Sequence, residues 1–365
     1  MSSGHSPLLP SQHLAGARRG VPGGVAASAE GSAGPSQRPI DRPLRERLEP
    51  IATDRASASI QIVRETARVF REWLLERPDE RAGDGREIEQ ELSRWIDEQA
   101  WRGPCATWLD SLRLAWSAAA WEEAPGGRSE RLALEMSAWI EDGGEGRPAA
   151  GSRLPSRARL AEHAAVDVDR GDTVLITSWS ESVALALEAA WRAARRPEVL
   201  VGEGLPSLDG RRMARRLSRA GIRVTMVYDA AIASVVARAD RVWLATESVG
   251  AGAFLGRRGT AALLEECARR DVPTRVLTTS DKLMPGGALR LPKWCERESW
   301  LLWEDAPEGV RLESQVYEAV ALALAGSFLT EIGPESASAL HLRALRVEAA
   351  PACGVRPATA ATRPS

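Results

Sequence analysis

Between residues 172 and 282 the chain alternates short β-branched apolar runs with longer stretches of helical period. The strand-like runs are 174–177, 199–201, 224–228, 242–245 and 275–278. Strands joined by helical crossovers predict a parallel sheet covered on both faces. In open sheets of that kind a ligand sits at the carboxyl ends of the strands. Function is therefore to be read in the residues that follow them: Ser178-Trp179-Ser180, Glu203, Asp229, Glu247-Ser248 and Ser280-Asp281-Lys282.

With 365 residues there is room for a helical domain and an α/β domain beside a tail. Charged residues make up 27% and the formal net charge is -2. That balance argues against nucleic acid as an electrostatically driven partner, although a neutral total can hide a local basic patch. Four cysteines form no CxxC pair and have no histidine at ligand spacing, which argues against a disulfide framework and a structural zinc site. No metal and no cofactor is expected. The four histidines are scattered, leaving little for a histidine-based triad. No apolar run is long enough to span a bilayer and the N-terminus lacks a signal-peptide core, so the expectation is a soluble cytoplasmic protein.

Four segments are expected: a disordered tail over 1–40, a helical domain over 41–152, the sheet domain over 153–348 and a second disordered tail over 349–365. The first tail is rich in Ser, Gly, Pro, Ala and Arg and cannot bury enough apolar surface to fold alone. Helical periodicity is visible over 57–75, 88–101, 108–121, 131–140 and 154–166, with a Gly-rich break at 142–152. Seven of the thirteen tryptophans fall in the helical region: Trp73, Trp95, Trp101, Trp108, Trp116, Trp121 and Trp139. Core filling is favoured over a binding stripe for them. In the sheet domain Ser180 can cap a helix over 181–195, and Asp209 opens another that Gly221 ends. Beyond Lys282 the pattern loosens: 294–302 is compatible with a short strand, while 317–329 and 334–345 read as apolar or helical.

Taken in order, the strand-end motifs VLITSWSESV, VGEGLPSLDGRRMARRLSRAGIRVTMVYDAAIASVV, VWLATESVGAGAFLGRRGTAALLEECARRDVPTRVLTTSDKL and YEAVALALAGSFLTEIG form a set. The set resembles the family uniting translation initiation factor 2B alpha, beta and delta subunits with methylthioribose-1-phosphate and ribose-1,5-bisphosphate isomerases. The resemblance covers about 160–333, with a weaker echo over 55–70. It implies an N-terminal helical domain, a Rossmann-like, mainly parallel sheet domain, and a homodimer or higher homo-oligomer built through the C-terminal domain. Glu203, Pro206 and Gly210 match the family's loop after the second strand, with Leu205 where the family usually has Arg. Asp229-Ala230, Gly259-Thr260, Tyr317-Glu318 and Thr330-Glu331 match further landmarks.

Family isomerases carry a cysteine after the first strand and an aspartate after the fourth, which relay protons between sugar C1 and C2. Here Trp179 stands at the cysteine position, flanked by Ser178 and Ser180, and Glu247 at the aspartate position. Indole cannot exchange that proton under ordinary conditions. Arg257 falls at the family's substrate lysine, and Lys282 resembles the initiation-factor branch. An Arg-Gly-Ala-Pro-like run at 19–24 lies too far upstream to be the isomerase phosphate loop.

Read without the family, Arg257-Arg258-Gly259-Thr260 at a helix start suits a phosphoryl group: two guanidiniums, free N–H groups and a hydroxyl. The alternative is a basic surface turn. Glu247 is either an acid/base group or a polar group closing a sheet end, Asp229 either a helix cap or a ligand neighbour, and Lys282 either ligand or interface. The expected partner is a phosphorylated small molecule, a sugar phosphate or a nucleotide, bound without catalysis. Ser178, Trp179, Ser180, Glu203, Ser248, Arg257, Arg258, Gly259, Thr260 and Lys282 would be the contacts, and Glu247 and Asp229 the carboxylates available to an isomerase. A purely structural interaction module is the third reading.

Overall fold

The computed structural model describes residues 43–55, 57–76, 85–117, 127–141 and 156–353. The tail at 1–40, the Arg-Gly run at 19–24, the Gly-rich break, Trp121 and residues beyond 353 lie outside the described residues.

Helices α1 (Leu44–Ala52), α2 (Ser59–Glu76), α3 (Gly85–Gln99), α4 (Gly103–Ser117) and α5 (Gly127–Glu141) pack around one core. The six described tryptophans of the predicted stripe are all buried, and Trp95 meets Trp108 edge-on with ring centroids 4.9 Å apart. Five of them fill the bundle core, whereas Trp101 packs against Tyr317 with ring centroids 4.9 Å apart. Helix α4 begins five residues before the periodicity at Trp108, because Pro104 in its first turn gives up no helical hydrogen bond.

Helix α6 (Ser156–Asp167) leads into the sheet domain. There follow β1 (Thr173–Ile176), α7 (Glu181–Arg192), β2 (Glu198–Gly202), α8 (Asp209–Arg219), β3 (Arg223–Val227), a 3-10 segment (Asp229–Arg238), β4 (Arg241–Ala245), β5 (Ala253–Arg257), α9 (Thr260–Arg269) and β6 (Thr274–Leu277). After a short helix, α10 (Trp294–Arg297), come β7 (Tyr317–Ala321), β8 (Ser327–Thr330), β9 (Gly333–Glu335) and α11 (Ala337–Leu345). The main sheet has the order β3-β2-β1-β4-β6-β8-β9, parallel except for β9. All five predicted strands are in it.

Side chains alternate across this sheet, as strand geometry requires. Val174, Ile176, Val199 and Val201 pack under α6, α7 and α8, whereas Leu175, Leu200, Val242 and Leu244 pack under α9 and α11. The chain thus leaves β1 toward one face and β4 toward the other. The crevice between the ends of these neighbouring strands is where such sheets hold ligands.

The region beyond 282 differs from its sequence reading. Residues 317–329 supply β7 and most of β8, and 294–302 forms helical turns rather than a strand. The Ala- and Leu-rich composition favours helix locally, but pairing with β5 and β6 decides the outcome. The segment after α11 returns to the helical bundle. There the Ala350 N–H donates to Asp110 Oδ1 at 2.6 Å, and Cys353 is 2% exposed in the bundle core.

Candidate functional site

The crevice opens between the carboxyl ends of β1 and β4, with the helical bundle as its outer wall. Ser180 caps α7, its hydroxyl accepting from the Val183 N–H, and so fixes how the chain turns after β1. On the other side, the loops after β4 and β6 are stitched to the start of α4. The Gly103 N–H donates to the Glu247 carbonyl at 2.9 Å, and the Val249 N–H to the Lys282 carbonyl at 2.7 Å. The approach is so close that a Cβ at Gly103 would lie 2.4 Å from Lys282 Cα.

At the floor of a cavity of about 90 Å³ lies Glu247, among Ser59, Arg102, Arg257, Lys282 and Tyr317. Its Oε2 accepts from Ser59 Oγ at 2.7 Å, and Arg102 reaches the same hydroxyl at 3.4 Å. Burial acts to raise the Glu247 carboxyl, but Arg102, then Lys282, the Ser59 hydroxyl and Arg257, hold it below the usual carboxylate range. Burial pulls Lys282 below the usual lysine range against the opposing charge of Glu247, while its ammonium donates to the Thr246 carbonyl at 2.6 Å. Burial, then the Glu247 charge, pushes the Tyr317 phenol up to about 12, so it stays protonated.

Arg257 closes the cavity on the β5 side. Its Nε donates to Ser178 Oγ at 2.9 Å and its Nη2 to Asp209 Oδ2 at 2.7 Å. It also separates the cavity from an outer hollow of about 430 Å³, where Leu205, Asp229, Arg258, Gly259 and Thr260 lie. Both arginines border this hollow, but Arg257 is engaged by Ser178 and Asp209 on the cavity side. Arg258 is exposed and faces Glu313 at 3.9 Å. At the start of α9 the Ala261 N–H is taken by Glu318 Oε1 at 3.0 Å, so the protein already supplies a carboxylate there.

Asp229 does not cap the segment it opens. Its carboxylate accepts from the Gly204 and Leu205 N–H groups at 2.9 and 2.7 Å, fastening the loop after β2. Glu203 takes part through its backbone, accepting from the Gly210 N–H and donating to the Val227 carbonyl. Ser248 is fully buried, and its hydroxyl has no partner among the described residues.

Trp179 is a wall rather than a plug. Its half-buried ring packs on the core under α7 and α8, with one face toward the cavity and Arg212 Cζ 3.9 Å from its centroid. Strand-end reasoning did not anticipate Ser59 and Arg102 from the bundle or Arg157 from α6. Arg157 reaches Asp281 at 2.9 Å in a pair that is almost fully buried. The weaker motif echo over 55–70 was the one signal pointing to that wall. Five cations line the cavity, but Arg157 is paired with Asp281 and Arg55 with Glu98 and Glu298, which leaves Arg102, Arg257 and Lys282 facing Glu181, Asp209 and Glu247.

Residues 149–334 match the Initiation factor 2 subunit family, just over half of the chain. The chain belongs to this family. It is 30% identical over 188 residues to translation initiation factor eIF2B subunit beta of Dictyostelium discoideum, covering 50% of this chain and 48% of that protein. It is 29% identical over 132 residues to ribose 1,5-bisphosphate isomerase of Haloferax volcanii, covering 36% and 41%. The chain thus spans about half the length of these curated relatives. In three dimensions it resembles the translation initiation factor eIF-2B of Pyrococcus horikoshii OT3, with TM-score 0.58, 19% identity and coverage of 80% of this chain and 96% of that one. The tetrameric eIF2B-beta2-delta2 complex from C. thermophilum gives 0.59, 13%, 82% and 93%. At these identities the likeness is one of fold. Among the described residues no helix is long and apolar enough to cross a membrane.

Proposed function

We propose that this chain is a non-catalytic, regulatory member of its family that binds a phosphorylated metabolite in the β1/β4 crevice. The observation that carries the reading is the ionised Glu247, ringed by Arg102, Lys282 and Arg257, with Trp179 where a proton-relaying cysteine would be needed. A general acid or base working near neutral pH needs a pKa near neutrality, and this carboxyl is driven the other way. Arg102, Arg257 and Lys282, converging on one cavity, suit a phosphoryl group as donors. A volume of about 90 Å³ holds roughly three waters of liquid, room for a phosphoryl group, so the rest of the metabolite would reach past Arg257 toward the outer hollow. Ser178, Trp179, Ser180, Arg257 and Lys282 are its contacts in this reading, and Arg258, Gly259 and Thr260 those of its outer end. We take the protein to be cytoplasmic and to act as a homodimer or higher homo-oligomer, a reading supported by the tetrameric assembly of its C. thermophilum neighbour.

Thermal melting against ribose 1,5-bisphosphate, methylthioribose 1-phosphate and nucleoside monophosphates, with turnover followed in parallel, tests this. Stabilisation without turnover, lost in Arg102→Ala, is the expected result. Turnover abolished by Glu247→Gln would replace the proposal with an isomerase, the reading favoured by the Haloferax volcanii relative. No stabilisation by any phosphate would leave a structural module.

A further inference from the structure

The outward face of α8 is almost entirely arginine. In DGRRMARRLSR, Met213 and Leu217 are buried beneath the helix while Arg211, Arg215 and Arg219 stand exposed. These three have no hydrogen-bond or ion-pair partner among the described residues. Arg212 lies over the Trp179 ring, and Arg216 pairs with Glu188 at 2.6 and 3.0 Å. A groove of about 480 Å³ runs here, lined by Trp179, Glu188, Arg212, Arg215, Arg216 and Arg219, four guanidiniums to one carboxylate. Past the other end of α8, Trp191 packs against Gly221 with Arg196 Cζ 4.3 Å from its ring centroid.

This arrangement is unfavourable for the helix alone. Like charges at i,i+4 recur at 211/215, 212/216 and 215/219, each costing about 0.2–0.5 kcal/mol. Arg211 and Arg212 also sit at the positive end of the helix dipole, and Asp209, the acid of that turn, is engaged by Arg257. A bound polyanion would remove this repulsion. The exposed arginines advance four residues at a time, about 6 Å along the axis, and so form a row on one side.

A row of guanidiniums with an arginine-covered indole near each end suits a single-stranded nucleic acid, in which the free cations track phosphates and bases stack on the guanidiniums that Arg212 and Arg196 hold over Trp179 and Trp191. An acidic peptide would use the arginines but has no use for the indoles. We propose that α8, with Trp179 and Trp191, binds the backbone and bases of single-stranded nucleic acid. The net charge of -2 does not oppose this, because distant charges are screened within about 10 Å at ordinary salt.

The test is fluorescence anisotropy of a labelled oligouridylate titrated with the full chain at stepped KCl. Each neutralised phosphate contributes about -0.7 to the slope of log K against log salt on a single strand. Replacing Arg211, Arg215 and Arg219 together by Gln is expected to flatten that slope by about 2, with the melting temperature unchanged or raised as the repulsion is relieved. Trp191→Ala is expected to weaken binding by about fivefold or more at fixed salt. The proposal is overturned by absence of binding at low salt, or by a triple variant whose slope is unchanged. It is equally overturned if binding is indifferent to Trp191→Ala and polyglutamate displaces the oligonucleotide at equal charge, because the surface would then be one for acidic protein.

Discussion

Replacing Glu247 by Gln separates the charge of the crevice floor from its shape. Gln can still accept from Ser59 Oγ, so the 2.7 Å contact has a neutral substitute. What disappears is the negative charge facing Arg102, Lys282 and Arg257. Removing one member of a buried ionic cluster costs about 3–5 kcal/mol, because the remaining charges stay desolvated without their counterion. Urea unfolding followed by tryptophan fluorescence should register that loss. Its pH dependence has a definite sign. A carboxyl held low in the folded state contributes stability fully above its unfolded pKa of about 4.3, and loses it as pH falls through the folded value. The gap between wild type and variant should therefore be constant from neutral pH down to about 5 and shrink on further acidification. The variant also removes one of the carboxylates that balance Arg102, Arg257 and Lys282. Inorganic phosphate should consequently stabilise it more than it stabilises the wild type. A variant within about 1 kcal/mol of wild type, with the same response to phosphate, would refute the idea that this carboxylate is an internal counterion.

Gly103→Ala should destabilise by about 1–3 kcal/mol and weaken phosphate binding, since the new methyl meets the Lys282 backbone; an unchanged urea midpoint and phosphate response would contradict it. In Tyr228→Phe the remaining tyrosine is Tyr317, so alkaline titration of near-ultraviolet absorbance should show no tyrosinate until pH approaches about 12. Burial lifts the Cys105 and Cys353 thiols to about 12 and Cys267 to about 11, so the native chain should be inert to Ellman's reagent at pH 8 and react on unfolding. Ending the chain after residue 348 removes the Ala350 contact to Asp110 and Cys353 from the bundle core, and should lower the stability of the helical part by about 1–3 kcal/mol. Unchanged amide exchange in α3 and α4 would show that contact to be dispensable.

Strands β1, β2, β4 and β6 were legible because their burial on both faces leaves a continuous apolar signature, while the exposed edge strand β3 was legible from its β-branched composition alone. Strands β5 and β7 carry little of that signature. Their pairing aligns Arg257 with Tyr317, a juxtaposition that no local pattern announces. The strand-end rule found Ser178, Trp179, Glu247 and Lys282 and brought them to one crevice. It could not find Ser59, Arg102 or Arg157, because a wall formed by another part of the chain leaves no periodic trace. The rule grouped Arg257 with Arg258, and both border the outer hollow, though their ion-pair partners differ: Asp209 for the first and Glu313 for the second.

That missing wall changes how Trp179 is understood. Seen from the strand end alone, an indole in place of a cysteine is the loss of a reactive group. In three dimensions the same ring bounds two basic surfaces, the crevice floored by Glu247 and the arginine groove of α8. Its Nε1 is buried without a partner among the described residues, and Arg212 covers the face turned from the crevice. A ring so held has no proton that it can give up near neutral pH, and it cannot leave without uncovering the core beneath α7 and α8. An occupant of either surface that shifts the ring shifts a wall of the other. Coupling between the two would therefore need no chemistry at all, which is what the proposed regulatory role requires.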